Sequence, residues 1–209
     1  MGETGLLEVV NLECVRGDRP LFSGLSFSLK PGVLLHVTGA NGSGKTTLLR
    51  TLCGLSQPAA GTIRWNGSTI HELGDEYRQH FSYVGHSNAI QGELTPEENL
   101  HAAACLSGDT GVKPVRKILE HLGLGAHHYF PAKVLSQGQK RKLALARLAI
   151  QRKPLWILDE PLSALDVRSV GLITEILVSH LSTGGMIILT SHQDFNVEVK
   201  TVVQIQLDT

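Results

Sequence analysis

Several things are missing from this sequence, and each absence removes a class of protein. There is no C-x-x-C pair, and the three cysteines, Cys14, Cys53 and Cys105, are scattered and odd in number. That excludes a disulfide framework and fits a reducing compartment, with each thiol read as a small buried apolar group. No apolar run approaches the roughly 20 residues of a membrane span; VLLHV and MIILT are the size of core strands. The opening MGETGLLEVV lacks the basic and apolar regions of a signal peptide and the arginines of a transit peptide. Leu6 stands where a myristoylation signal wants Ser or Thr. Net charge is also absent, since 19 Lys and Arg balance 19 Asp and Glu, whereas a nucleic-acid binder would carry a basic excess. The expectation is a chain soluble by itself, with no nucleic-acid partner and any membrane contact made through another subunit.

What is present is patterning. The 209 residues suit one α/β domain with a sizeable core. LLEVVNLECV and LFSGLSFSL alternate with period two, which predicts antiparallel strands. VLLHVT, Val33 to Thr38, is a continuous apolar run of the kind a buried parallel strand needs. From about His86 to Val134 the pattern turns helical: Thr95 is a helix N-cap, Pro96 follows at the first helical position, and acids fill the first turn. Strand pattern returns at LWILDE, MIILT and VVQIQL. The layout predicted is an α/β core over residues 1–87 and 141–209, including an antiparallel subdomain, with a helical subdomain over 88–140.

The phosphate chemistry is concentrated in GANGSGKT, Gly39 to Thr46, which fits G-x-x-x-x-G-K-[ST] between a strand and a helix. In such a loop, Gly39, Ala40, Asn41, Gly42, Ser43, Gly44, Lys45, Thr46 and Thr47 wrap phosphates with inward-pointing amides. Lys45 would reach the β- and γ-phosphates, and the Thr46 hydroxyl would ligate Mg²⁺. Asp159 ends the apolar strand LWILD, where it would hold Mg²⁺ through water, and Glu160 would polarise an attacking water. His192, after MIILTS, would contact the γ-phosphate. The expected cofactors are therefore ATP and Mg²⁺.

A second stretch poses a question. VLSQGQKRKL opens a helix at a Ser-x-Gly turn with Lys140, Arg141 and Lys142 in its first turn. Cations sit badly at the positive end of a helix dipole unless an anion is near, so the turn reads as phosphate-facing and solvated. The first loop already cradles a nucleotide. Two copies packed head to tail would let Ser136 and Gly138 of one face the γ-phosphate held by the other.

With these residues the chain resembles the ATP-binding cassette (ABC) family. LSQGQ, Leu135 to Gln139, is similar to its LSGGQ signature, with Gln137 in place of the central Gly. SALD, Ser163 to Asp166, resembles the D-loop, and His192 matches the switch histidine. The resemblance covers essentially the whole chain. It implies a P-loop NTPase fold with a RecA-like mixed sheet, an antiparallel β subdomain and an inserted helical subdomain. It also implies a nucleotide-sandwich homodimer in which Ser136, Gly138, Gln139 and Asp166 act on the shared nucleotide.

Two positions depart from the family pattern. His86, in YVGHSNAI, stands where a Gln normally touches Mg²⁺ and senses the transporter; it would lie near the γ-phosphate. Arg16 stands where an aromatic residue normally stacks on adenine, and a guanidinium plane can also stack on a base. With His86, YVGHSNAIQGELTPEENL resembles the ATP-binding subunits of cytochrome c maturation systems, as do RPLFSGLSFSL and GGMIILTSHQ. That narrower likeness implies integral membrane partners CcmB, CcmC and CcmD. It implies release of a heme-loaded chaperone, CcmE, and a peripheral place on the cytoplasmic face of the bacterial inner membrane or the matrix face of the mitochondrial one. The alternatives are the ATPase of another exporter, for a lipid, drug or peptide, and a soluble cassette protein of DNA repair or translation. His127 and His128 read as a solvated loop rather than a heme-ligand pair, because adjacent residues rarely converge on one axial position.

Overall fold

The computed structural model describes residues 5–17, 19–108, 114–191 and 201–207. In chain order the described elements are β1 (Leu7–Arg16), β2 (Arg19–Leu29), β3 (Leu34–Gly39), α1 (Lys45–Leu52), β4 (Ala60–Trp65), β5 (Ser68–Thr69), α2 (Ile70–Leu73) and α3 (Asp75–Arg78). Then come β6 (Phe81–Val84), α4 (Pro96–Leu106), α5 (Val115–His121), α6 (Gln137–Gln151), β7 (Leu155–Asp159), α7 (Val167–Ser182), β8 (Met186–Thr190) and β9 (Val202–Leu207). Short 3₁₀ turns at Gly125–His127 and Ala132–Val134 lead into α6.

The antiparallel and parallel pairings separate into two sheets. β2-β1-β4-β5 is antiparallel, and β6-β7-β8-β3-β9 is parallel throughout its described pairs. The central strands β3, β7 and β8 are buried on both faces, so their apolar runs are continuous and successive residues face opposite sides, while the edge strand β9 is largely exposed. Leu34, Trp156, Leu158, Ile187 and Leu189 join one core with α4 to α7. Leu35, Val37, Leu155, Ile157 and Ile188 join the other, with Leu48, Leu49 and Leu52 of α1 and Leu7 and Leu12 of the antiparallel sheet. Burying each large aliphatic side chain contributes roughly 1.5–3 kcal/mol. A helix cap contributes about 1 kcal/mol, so packing places the sheets and caps trim the helix ends.

Between β6 and β7 the described residues contain helices and turns and no strand. α4 starts at the expected cap: Thr95 accepts from the Glu98 amide while Glu98 Oε2 accepts from the Thr95 amide at 2.8 Å. Contrary to expectation, Cys105 is exposed, and only Cys14 and Cys53 are buried thiols. α2 and α3, four residues each, follow β5. Among the described residues no helix is long and apolar enough to cross a membrane.

Candidate active site

β3 ends at Gly39 and α1 begins at Lys45, so the loop between them sits at the carboxyl edge of the parallel sheet. Ligands favour that edge in open α/β folds. The loop needs its glycines. Gly39, Gly42 and Gly44 have φ of 145°, 84° and 100°, which side-chain-bearing residues rarely adopt. A Cβ on Gly39 would also lie 2.6 Å from the Leu207 carbonyl and from Ser43 Oγ. Gly44 caps α1 with no side-chain hydrogen bond, which leaves the first amides of α1 without a capping side chain. Ser43 Oγ is buried and has no hydrogen-bond partner. Lys45, only 7% exposed, donates to the carbonyls of Gly39 at 2.7 Å and Ala40 at 3.1 Å. A buried ammonium, an orphaned hydroxyl and an uncapped helix start fit a phosphate chain.

The acidic strand end meets this loop. Thr46 Oγ1 donates to Asp159 Oδ2 at 2.9 Å, and Thr190 Oγ1 of β8 donates to Asp159 Oδ1 at 2.7 Å. The Thr46 hydroxyl and Asp159 carboxylate are thus adjacent hard oxygen donors, the type Mg²⁺ takes. Glu160 follows with φ of 47°, an unusual conformation for a glutamate. Its amide donates to Thr190 Oγ1 at 2.9 Å. Glu160 shares a cleft of about 200 Å³ with Arg16, Leu21, Asn41, Gly42, Gly44, Lys45, Thr46 and Thr47. Arg16 is therefore a wall of the same cleft. His86 is exposed in the loop after β6, and the residues lining the cleft do not include it. His192 lies outside the described residues.

The signature segment stands apart. Ser136, Gly138 and Gln139 do not line the cleft. Ser136 caps α6 in a reciprocal box: its hydroxyl accepts from the Gln139 amide at 3.2 Å, and Gln139 Oε1 accepts from the Ser136 amide at 2.8 Å. A Cβ on Gly138 would come within 2.9 Å of the Ala164 carbonyl, so glycine there admits the segment after β7. Asp166 is the N-cap of α7, accepting from the Ser169 amide at 2.7 Å, and these hydrogen bonds hold its carboxyl below the usual range.

Two of the three cations expected in a phosphate-facing turn, Lys140 and Arg141, are instead turned to the chain's own carbonyls. Lys140 Nζ donates to the Lys133 carbonyl at 3.0 Å. Arg141 is 3% exposed and donates into the chain's own interior. The carbonyls of Asp159, Glu160 and Pro161 accept from it at 2.6, 2.8 and 3.1 Å. Burial lowers its pKa, and the Asp159 and Glu160 carboxylates oppose that. Periodicity carries the signal that composition hides: Leu145 and Leu148, four and seven residues on, are buried on the same face. His127 is likewise no solvated residue. It is half-buried, with Nε2 at 3.2 Å from Gln139 Nε2. His128 Nδ1 contacts the Gly125 carbonyl.

Comparison with known proteins agrees with this geometry. Residues 22–163 match the model of the ABC transporter family. The chain is 50% identical over 203 residues to a cytochrome c biogenesis ATP-binding export protein, CcmA, of Dechloromonas aromatica, covering 97% of this chain and 100% of that one. It is 45% identical over 203 residues to the CcmA of Escherichia coli K12, covering 97% of each. The solved structure of an ATP-binding subunit of an ABC transporter superposes with a TM-score of 0.84 at 25% identity, covering 98% of this chain and 88% of that one. The chain belongs to the ABC transporter family, in its group of cytochrome c biogenesis ATP-binding export proteins.

Proposed function

We propose that this ABC ATPase hydrolyses Mg-ATP as the peripheral subunit of a cytochrome c maturation complex, coupling each turnover to release of the heme-loaded chaperone CcmE. The observation that carries the chemistry is the single cleft that gathers Lys45, Thr46 and Glu160 at the strand edge beside Asp159. The near-half identity to CcmA proteins over almost the whole chain supports the assignment to maturation.

Lys45 and the amides from Gly42 to Thr46 bind and orient the β- and γ-phosphates. Thr46 and Asp159 would hold Mg²⁺, which would neutralise phosphate charge. Glu160 orients and polarises the attacking water and takes its proton; the water oxygen bonds to the γ-phosphorus as the bond to the β–γ bridging oxygen breaks, and ADP and inorganic phosphate leave. His192 acts on the γ-phosphate, Arg16 stacks on the adenine, and His86 sits at the membrane-sensing loop. Because Ser136, Gly138 and Gln139 lie away from the chain's own cleft, a second copy supplies them and Asp166 joins the sites. ATP thus cements a homodimer, and CcmB, CcmC and CcmD are the membrane partners on the cytoplasmic or matrix face.

The test is Glu160→Gln. The variant should bind ATP, lose hydrolysis and dimerise longer. In cells carrying only that copy, a heme stain of membranes should show heme retained on CcmE and c-type cytochromes lost. Unchanged turnover removes Glu160 from the chemistry, and normal c-type cytochromes move the protein to another exporter.

A further inference from the structure

Arg141 uses all five of its guanidinium protons. Nε donates to the Pro161 carbonyl at 3.1 Å; Nη2 to the carbonyls of Asp159 and Glu160 at 2.6 and 2.8 Å; Nη1 to the Gly85 carbonyl at 2.8 Å and Asn88 Oδ1 at 3.2 Å. These acceptors lie on two separate segments, and Arg141 itself lies on a third. One segment is the end of β7 with the residues after it. Another is the loop after β6 that carries His86. The third is the second turn of α6. Arg147, further along α6, holds the same loop through the Ala89 carbonyl at 3.1 Å.

The acceptor that matters most is Glu160. Its left-handed backbone, φ 47°, is of a kind that persists only where the surroundings over-determine it. Four hydrogen bonds do so: the amide donates to Thr190 Oγ1 at 2.9 Å, and the carbonyl accepts from Arg141 Nη2 at 2.8 Å, Ser163 Oγ at 2.9 Å and the Ser163 amide at 3.1 Å. Arg141 is the one of these partners that comes from α6. Any shift of α6 or of the Gly85–Asn88 loop must therefore move the guanidinium and, through it, the peptide that aims the carboxylate.

We propose that Arg141 is a positioning residue for hydrolysis, a rigid fork that sets the aim of Glu160 according to where α6 and the His86 loop stand. Nucleotide binding belongs to another set of residues, because the five hydrogen bonds of Arg141 go to neither the phosphate loop nor α1. The inference rests on Glu160 as the water-polarising residue. A lysine cannot replace the fork, since one ammonium has three protons on a single atom and cannot reach both segments in plane.

The test compares Arg141→Lys, Arg141→Gln and Asn88→Ala with wild type, on the full chain under conditions where the wild type turns over ATP. Misaiming by a fraction of an ångström should lower kcat roughly tenfold to a hundredfold in Arg141→Lys, with KM for ATP within about twofold. Mg-ATP retention by Arg141→Lys/Glu160→Gln should equal that of Glu160→Gln alone. Asn88→Ala, which removes a single acceptor and leaves α6 intact, should lower kcat by about twofold to fivefold at constant KM. Wild-type kcat in Arg141→Lys overturns the proposal. So does a parallel fall of kcat, ATP affinity and melting temperature, which marks a structural role only. If neither Arg141 variant folds, Asn88→Ala decides, and an unchanged kcat there overturns the proposal. Active Glu160→Gln would instead sink the assignment of the base.

Discussion

Two helices of this chain begin with sequences suited to anions, and they are built in opposite ways. α1 starts at Gly44 with no side chain closing its end, a buried Lys45 beside it and an unpartnered Ser43 hydroxyl in the same loop. α6 starts at Ser136 with its end closed by a reciprocal box with Gln139, and its first cations turned toward carbonyls. The open start has unmet hydrogen-bonding capacity of its own, so it can cradle a phosphate chain alone. The closed start has less left over. Its box takes the amides of Ser136 and Gln139, so its spare capacity is the Ser136 hydroxyl proton and the amides of Gln137 and Gly138. A site that adds a few donors completes a phosphate shell begun elsewhere, which suits a second start used across a pair of chains.

The largest effect should follow from damaging the open start. Lys45→Ala removes a buried charge that meets the phosphates and should weaken ATP binding by roughly a hundredfold. Titration with a fluorescent ATP analogue reads it in a single chain, without a dimer. If affinity stays within about threefold, α1 is not the principal phosphate site and the contrast collapses.

Ser136 separates capping from phosphate contact. Ser136→Ala loses the cap and should cost about 1 kcal/mol in chemical denaturation. Ser136→Asp keeps the cap but, in the proposed homodimer, sets a carboxylate against the partner's phosphate. It should retain stability and monomer ATP affinity while turnover falls roughly a hundredfold, the scale of one lost oxyanion donor. A turnover equal to wild type would confine Ser136 to capping.

Gln139 sharpens the same point through charge. The boxes at α2 and α4 use Glu72 and Glu98, whose carboxyls their threonine partners hold below the usual range. The box at α6 uses a neutral Gln. Gln139→Glu should therefore cap α6 as well as wild type but repel phosphate, lowering turnover about tenfold. A box carboxylate with a depressed pKa contributes its cap above the ordinary glutamate pKa and loses it only as pH falls through the lower, folded value. The variant should stay ionised across about pH 6 to 8, so its rate profile keeps the wild-type shape at reduced height. Recovery toward pH 6 would show that the carboxylate is instead raised above the ordinary glutamate range.

What could be read from the sequence divides along the same line. The strand–loop–helix around Gly39–Thr46 was legible because its chemistry is local: glycines at positive φ, an apolar strand before, a helix after. The central parallel strands β3, β7 and β8 were legible because burial on both faces forces continuous apolar runs. α2 and α3 were not, since four-residue helices are too short to carry a period. The neighbourhood of Arg141 was hidden for another reason. A Lys-Arg-Lys run looks solvated by composition, and only the tertiary approach of β7 and the His86 loop supplies the carbonyls that bury it. His127 was misread in the same way, because its partner Gln139 is twelve residues on and across a turn.

The smallest expected effect is also the one that bears most directly on the closed start. If the first-turn cations of α6 served a phosphate, reversing the charge at Lys140 would be among the most damaging changes in the segment. Here Lys140 Nζ caps the Lys133 carbonyl, on the outer side of the preceding 3₁₀ turn. Lys140→Glu loses one exposed hydrogen bond and places an acid near the helix start, where the dipole favours it. The two changes offset each other, so stability should move by less than about 0.5 kcal/mol and turnover by less than about twofold. Steady-state ATPase rates for Lys140→Glu beside Ser136→Asp make the comparison. A tenfold loss in Lys140→Glu would place that ammonium on the partner's nucleotide and make α6 a second open start after all.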